Sequence, residues 1–118
     1  MAEETNSESL EVKLKRYIES ITKSMNVDQI ILFGSYAKGN AHEYSDIDLA
    51  VISPDFDPSK SRFSNLRKMK EQAQLVEAGL QLLPFHTAVF EKENTVDSFF
   101  IREIKKTGKV IYSNGKKK

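Results

Sequence analysis

Two aspartates, Asp46 and Asp48, stand two positions apart in the segment Ser45-Asp46-Ile47-Asp48-Leu49. On a strand, residues i and i+2 share a face at a spacing of about 7 Å. Two carboxylates held that close repel by about 0.6 kcal/mol in water, and by several times that where the effective dielectric is lower. A hard divalent cation relieves the repulsion, because it seeks carboxylate oxygens. Mg²⁺ held by a few carboxylates and by phosphate oxygens is a usual arrangement for moving phosphoryl and nucleotidyl groups. A second segment upstream has matching chemistry: Gly34-Ser35-Tyr36-Ala37-Lys38-Gly39 directly follows the apolar run Ile30-Ile31-Leu32-Phe33. Glycine lets a backbone approach a ligand closely. Free amides opening a helical turn bind anionic oxygens. Ser35 adds a hydroxyl donor, and Lys38 adds a positive charge.

Each segment alone has a plainer reading. An Asp-x-Asp pair is often a solvated strand end, and Gly-Ser is most often a turn. The spacing of Gly34 and Gly39 imitates a P-loop, but that motif needs Lys and Ser/Thr after its second glycine. Here Asn40 and Ala41 follow. An EF-hand loop is excluded because its downstream ligands and its glycine are missing.

Taken together, the segments are more specific. Gly34-Ser35, ten intervening residues and Asp46-x-Asp48, with apolar strands beside them, resemble the signature of the nucleotidyltransferase superfamily. That superfamily includes DNA polymerase beta and kanamycin nucleotidyltransferase. The phrases GSYAKG and YSDIDLAV most resemble the minimal nucleotidyltransferases, which are often partnered with a HEPN protein. The likeness runs from Asp28 to Tyr112 and includes the closing phrase GKVIY. It implies that Gly34, Ser35 and nearby amides hold the β- and γ-phosphates of a nucleoside triphosphate, ATP being the expected donor. Lys38 would support the loop or the phosphates. Asp46 and Asp48 would be the catalytic, metal-holding pair for Mg²⁺ in a two-metal arrangement. The reaction would carry a nucleoside monophosphate to a hydroxyl of a partner protein or small molecule and release pyrophosphate. A HEPN-type protein or a second copy of the chain would be the partner.

One departure from the pattern bears on mechanism. The family places a third carboxylate on a later strand, in a phrase such as Val-Asp-Leu-Val-Pro. Aligned on Pro84, this chain reads Leu80-Gln81-Leu82-Leu83-Pro84, with Gln81 at the carboxylate position. A carboxamide oxygen can ligate a cation weakly but cannot act as a general base. The second metal position and transfer itself are therefore weakened more than nucleotide binding. An alternative reading is a nucleotide-binding or antitoxin-like module with little transfer activity. A further one is an enzyme whose base or acceptor pocket comes from another chain. Glu77 and Glu91 are the nearest substitutes for the missing carboxylate. His42 and His86 read as ordinary loop, surface or core histidines.

The rest of the chain must position these groups. Leu10, Leu14, Tyr17, Ile18, Ile21 and Met25 recur at helical spacing. Ile30–Phe33 and Asp46–Ile52 read as strands, with Ile47, Leu49 and Val51 on one face of the second. Residues 35–45 read as a loop holding one helical turn, and 53–60 as a loop. Phe63, Leu66, Met69, Ala73 and Val76 predict a core-facing helix ending near Gly79. Leu80–Phe90 reads as one or two extended pieces around Pro84. Asn94 or Thr95 would cap a last helix through Lys106, with Val96, Phe99, Phe100 and Ile104 on one side. Either phenylalanine could mark a partner surface. Val110–Tyr112 predicts an edge strand, and the ends of the chain read as loose.

The expectation is one α/β (α+β) domain over residues 1–118, with its core from about 10 to 112. A small mixed β-sheet flanked by helices would form a nucleotidyltransferase fold. Its 118 residues suffice for a core without staples. There is no cysteine, which excludes disulfides and thiolate zinc and fits a cytoplasmic setting. The 18 basic against 17 acidic residues give no excess for coating nucleic acid. No apolar run approaches the roughly 18 residues of a membrane span.

Overall fold

The structure is a computed structural model that describes residues 9–42, 45–75, 77–92 and 98–115. The elements are α1 (Leu10–Ser24), β1 (Gln29–Phe33), α2 (Ser35–Lys38), β2 (Ile47–Ser53), α3 (Arg62–Ala73), β3 (Leu80–His86), α4 (Thr87–Glu91), α5 (Ser98–Thr107) and β4 (Lys109–Ser113). The four strands lie in the order β3-β2-β1-β4. β1 pairs antiparallel with β2 and β4, while β2 and β3 run parallel, so the sheet is mixed.

The alternation read from β2 divides the core in two. Ile47, Leu49 and Val51 join Ile30, Leu32, Leu80 and Leu82 beneath Tyr17 and Ile21 of α1 and Met69 and Ala73 of α3. Ala50 and Ile52 turn the other way, with Ile31 and Phe85, beneath Phe90 of α4 and Ile101 and Ile104 of α5. Both faces of β2 are thus covered. Of its seven residues only Asp48 is less than fully buried. Burying a Leu- or Ile-sized side chain is worth about 1.5–3 kcal/mol, so a one-residue slip of β2 would move its three larger apolar residues from one core to the other.

Local signals set the helix starts. Ser9 caps α1, its hydroxyl accepting from the Val12 amide at 3.2 Å. Ser61 caps α3 in the same way through Ser64, at 3.0 Å.

Several expectations are corrected. α3 stops at Ala73 rather than near Gly79, because Gln74 turns left-handed at φ 56°. Phe63 is 66% exposed, with Arg67 over its ring, and is not a core residue. The buried polar position on that helix is Asn65, whose amide is tied to the Asp57 backbone at 2.9 Å on both sides. The segment expected to be extended through Phe90 is one strand only as far as His86, and then becomes α4. Pro84 sits within β3 without breaking its register. That is possible because β3 is an edge strand, where a missing N–H can face away from the ladder. On α5 the buried face is Ile101 and Ile104. Phe99 is 72% exposed, and Phe100 leans edge-on against Phe33 at 6.1 Å between ring centroids. Val76, Asn94, Thr95, Val96 and the chain ends lie outside the described residues.

Candidate active site

The N-terminal ends of β2 and β3 meet the C-terminal end of β1 along one edge of the fold. In the register, Phe33, Asp48 and Gln81 form a single row across three strands. Asp48 therefore lies on the sheet face of Ala50 and Ile52, at the point where the second core opens to solvent. Asp46 immediately precedes β2 and is exposed. The carboxamide of Gln81 donates to Asp46 Oδ2 at 3.4 Å. Gln81 thus joins the two aspartates, at the place the sequence pattern reserves for a third carboxylate.

Gly34 closes the other side. Its φ of 77° and ψ of −151° fall in a region that essentially only glycine occupies. A Cβ built on Gly34 would overlap Asp48 Oδ2. The backbone and the carboxylate approach so closely that no larger residue fits without moving Asp48. The chain then enters α2, where the Gly34 carbonyl accepts from the amides of Ala37 and Lys38, each at 3.1 Å. The amides of Ser35 and Tyr36 open this helix, and no earlier helical turn supplies them with acceptors. Ser35 is half-buried beside Gly34. Lys38 is exposed in the last turn of α2, and no contact among the described residues ties it to the aspartates.

Electrostatics distinguish Asp48 from a routine surface acid. Burial, and then the charge of Asp46, push its carboxyl above the usual range. Among the described residues no cation pairs with it and no donor hydrogen-bonds to it. Such a group gains from a bound cation twice, through neutralised charge and through restored ligation. No cluster of three or more His, Cys, Asp or Glu side chains is assembled among the described residues. The donor set is two carboxylates and one carboxamide oxygen. These are hard oxygens, and Mg²⁺ commonly takes only one or two protein carboxylates, completing its shell with water and phosphate. The residues fit that ion in the presence of a phosphorylated ligand.

The other residues singled out in the sequence fall elsewhere. The Glu77 carboxylate is engaged by Tyr17 and Arg16 of α1. Glu91 ends α4, beyond the far end of β3. Because β3 keeps its register, His86 lies on the face opposite Gln81; its Nδ1 accepts from the Ala88 amide at 3.0 Å and caps α4. His42 is an exposed loop residue whose amide donates to Ser45 Oγ at 2.9 Å. A cavity of about 270 Å³ that no sequence motif announces adjoins Asp46, lined by Lys13, Tyr17, Tyr36 and Ser45 among others. Lys13 and Tyr17 read as helix residues far upstream, and nothing local announces that α1 reaches the aspartates. A larger groove, about 510 Å³, lies along α5 at Phe99 and Arg102 but contains none of these groups. Chemistry, not volume, selects the site.

A four-stranded mixed sheet with an aspartate pair at one end and a glycine-serine turn beside it defines a nucleotidyltransferase-type domain. The family described as Polymerase beta, Nucleotidyltransferase matches residues 13–117, and the chain belongs to that family. Its fold is that of the minimal nucleotidyltransferases. A Sulfolobus solfataricus protein named as a nucleotidyltransferase superposes with a TM-score of 0.63 at 17% identity, over 88% of this chain and 81% of that one. A toxin-antitoxin structure with AMP-PNP superposes at 0.56 and 20% identity, over 86% and 73% of the two chains. The structure of a tri-AMPylated Shewanella oneidensis HEPN toxin with its MNT antitoxin gives 0.53 and 17%, over 88% and 72%. A short stretch of 24 residues is 75% identical to a Methanocaldococcus jannaschii protein named as a protein adenylyltransferase. That stretch is 20% of this chain and only 16% of the relative's length.

Proposed function

We propose that this domain transfers a nucleoside monophosphate from a nucleoside triphosphate, ATP being the expected donor, to a hydroxyl group and releases pyrophosphate. The observation that carries the reading is the row Phe33–Asp48–Gln81 closed by Gly34, which leaves an unpaired carboxylate against a bare backbone. In this reading Gly34, Ser35 and the opening amides of α2 hold the terminal phosphates, and Lys38 adds charge at the rim. Asp46 and Asp48, with Gln81 Oε1 as a weak third ligand, hold Mg²⁺. Bound there, the ion would neutralise charge on the phosphate oxygens as the α-phosphorus is attacked. The acceptor oxygen bonds to the α-phosphorus, the bond to the α–β bridging oxygen breaks, and pyrophosphate leaves. The acceptor's proton must go to water or to a partner's group, because Gln81 cannot take it. A HEPN-type protein is the proposed acceptor, supported by the toxin-antitoxin structures that share the fold.

Gln81 also supports a second reading, in which the chain binds nucleotide but transfers slowly and serves its partner as an antitoxin-like module. Pyrophosphate release by wild type and Gln81→Asp, with and without a HEPN protein, separates the two. General-base assistance is worth about 10²–10⁴-fold. A gain of that order in Gln81→Asp over a nearly silent wild type favours the binding module. Robust wild-type turnover that the change leaves untouched shows that the base lies elsewhere.

A further inference from the structure

The Glu77 carboxylate is fastened to α1 from two directions. The hydroxyl of Tyr17, a residue only 2% exposed, donates to it, and Arg16 Nη1 lies 3.1 Å from Oε2. The Arg16 guanidinium also packs over the Tyr17 ring, 5.2 Å from its centroid. From Glu77 the backbone makes a tight turn. The Glu77 carbonyl accepts from the Leu80 amide at 3.3 Å, and Gly79 between them has φ 84°. The Gly79 carbonyl then accepts from the Ile47 amide at 2.8 Å. Ile47 is the residue between the two aspartates, and this hydrogen bond is where β2 begins to follow β3. The next pair in register is Asp48 with Gln81. A continuous path of bonds thus runs from the middle of α1 through Glu77 and Gly79 to the backbone between Asp46 and Asp48.

We infer that Glu77 is a positioning residue: with Tyr17 and Arg16 it fixes the turn at residues 77–80, and that turn sets the orientation of Asp46, Asp48 and Gln81 toward a bound cation and nucleotide. It is not the missing third carboxylate, since both of its attachments hold it to α1. The inference rests on the proposed function for the bound cation and nucleotide; the path of bonds is independent of any reaction. The arrangement explains why an exposed acid is held by a buried tyrosine. A Tyr hydroxyl inside a core needs a partner, and here that partner carries the loop on which the site depends.

The test uses the full chain as wild type, Glu77→Ala, Glu77→Gln and Tyr17→Phe. Three quantities are measured: amide hydrogen exchange at Ile47 with Ile31 as the internal control, Mg-ATP affinity by calorimetry, and the thermal midpoint. Glu77→Ala and Tyr17→Phe should speed exchange at Ile47 about tenfold or more relative to Ile31, and weaken Mg-ATP binding several-fold. Glu77→Gln keeps an acceptor oxygen for Tyr17 and should recover most of both. A merely structural role would instead lower the midpoint and speed exchange at Ile31 and Ile47 alike. Unchanged Ile47 exchange in folded Glu77→Ala and Tyr17→Phe overturns the inference. So does loss of transfer in Glu77→Gln with wild-type exchange and binding, which would make Glu77 a catalytic carboxylate. If Glu77→Ala fails to fold, Tyr17→Phe and Glu77→Gln decide the same question. If the wild type does not bind Mg-ATP at all, the proposed function fails while the exchange measurement still judges the positioning path.

Discussion

The two ends of the central sheet both carry aspartates, and the molecule treats them in opposite ways. At the end opposite the candidate site, the carboxylates of Asp28 and Asp55 are both occupied. Asp28 accepts from Thr87 Oγ1 at 2.6 Å and from Asn114 Nδ2 at 2.8 Å, while its own backbone bonds to Ile52 and Asn114. Asp55 accepts from the Asn26 amide at 2.9 Å, and Ser53 donates to the Asn26 carbonyl while accepting from the Asp55 amide. At the candidate site, the Gln81 carboxamide reaches Asp46 only at 3.4 Å, and Asp48 has no hydrogen-bond donor among the described residues. A sheet end tied off by its own side chains is architecture. A sheet end with acceptors left over is made for something that arrives later. Folding tolerates the second because only Asp48 is partly withdrawn from water.

Acid stability separates in the same way. Glu77 has its carboxyl held below the usual range, first by the Tyr17 hydroxyl and then by Arg16. Its contribution to stability is present at neutral pH and is lost as pH falls through its lowered value. Asp48 has the opposite sign. Its raised value favours the folded state below the unfolded carboxylate range, and that advantage is lost as pH rises. The paired acid supports the fold at neutral pH, whereas the unpaired one weakens it there.

The largest effect should come from removing charge at the open end. Asp46→Asn with Asp48→Asn keeps the shape of both side chains and removes both charges. Calorimetry with ATP should then show binding that no longer responds to added Mg²⁺, whereas wild-type binding does. Identical metal dependence in the two proteins would move the cation elsewhere. The thermal midpoint of the double variant should not fall, because the change relieves repulsion in a metal-free fold.

The closed end should give the reverse. Asp28→Ala leaves Thr87 and Asn114 without their acceptor, at a cost of about 1–3 kcal/mol for donors stranded in a part-buried setting. Chemical denaturation should register that loss, while Mg-ATP affinity of the folded protein stays at the wild-type value. A large loss of affinity with unchanged stability would mean that the ends are not functionally distinct.

Much of the open end was legible in the sequence, because its chemistry is local. Gly34-Ser35 at the end of one apolar strand and Asp46-x-Asp48 at the start of another needed only the assumption that the strands pair. The placement of Gln81 needed one further anchor, Pro84, which keeps its register opposite Val51. What escaped was set by distant parts of the chain or by elements too short to show a period. α4 has five residues, and Ala88-Val89-Phe90 reads as well for a strand; a cap from His86 decides the matter. Phe63 and Phe99 fit apolar stripes by spacing, yet the buried faces of α3 and α5 are rotated away from them. Asn65 and Asp57 fix the first of these through hydrogen bonds that spacing cannot reveal. Glu77 looked like a spare carboxylate because its partners, Arg16 and Tyr17, lie some sixty residues upstream.

The smallest effect is the sharpest probe of how the two segments of the open end cooperate. Ser35 follows Gly34, and its hydroxyl is placed at the opening of α2, where the first amides are unspent. If it donates to a triphosphate oxygen, Ser35→Ala should weaken ATP binding by about 0.5–1.5 kcal/mol, the net worth of one hydrogen bond. A charge-assisted bond to phosphate would place the loss at or above the top of that range. The loss should shrink for ADP and again for AMP, since the proposed contact is to the terminal phosphates and not to the nucleoside. It should also persist in Asp46→Asn with Asp48→Asn, where binding is weaker but the glycine-serine turn is intact. An equal loss for AMP would place Ser35 against the nucleoside or the α-phosphate. Disappearance of the loss in the double variant would mean that the turn contacts phosphate only when the cation has first drawn the triphosphate across Asp48.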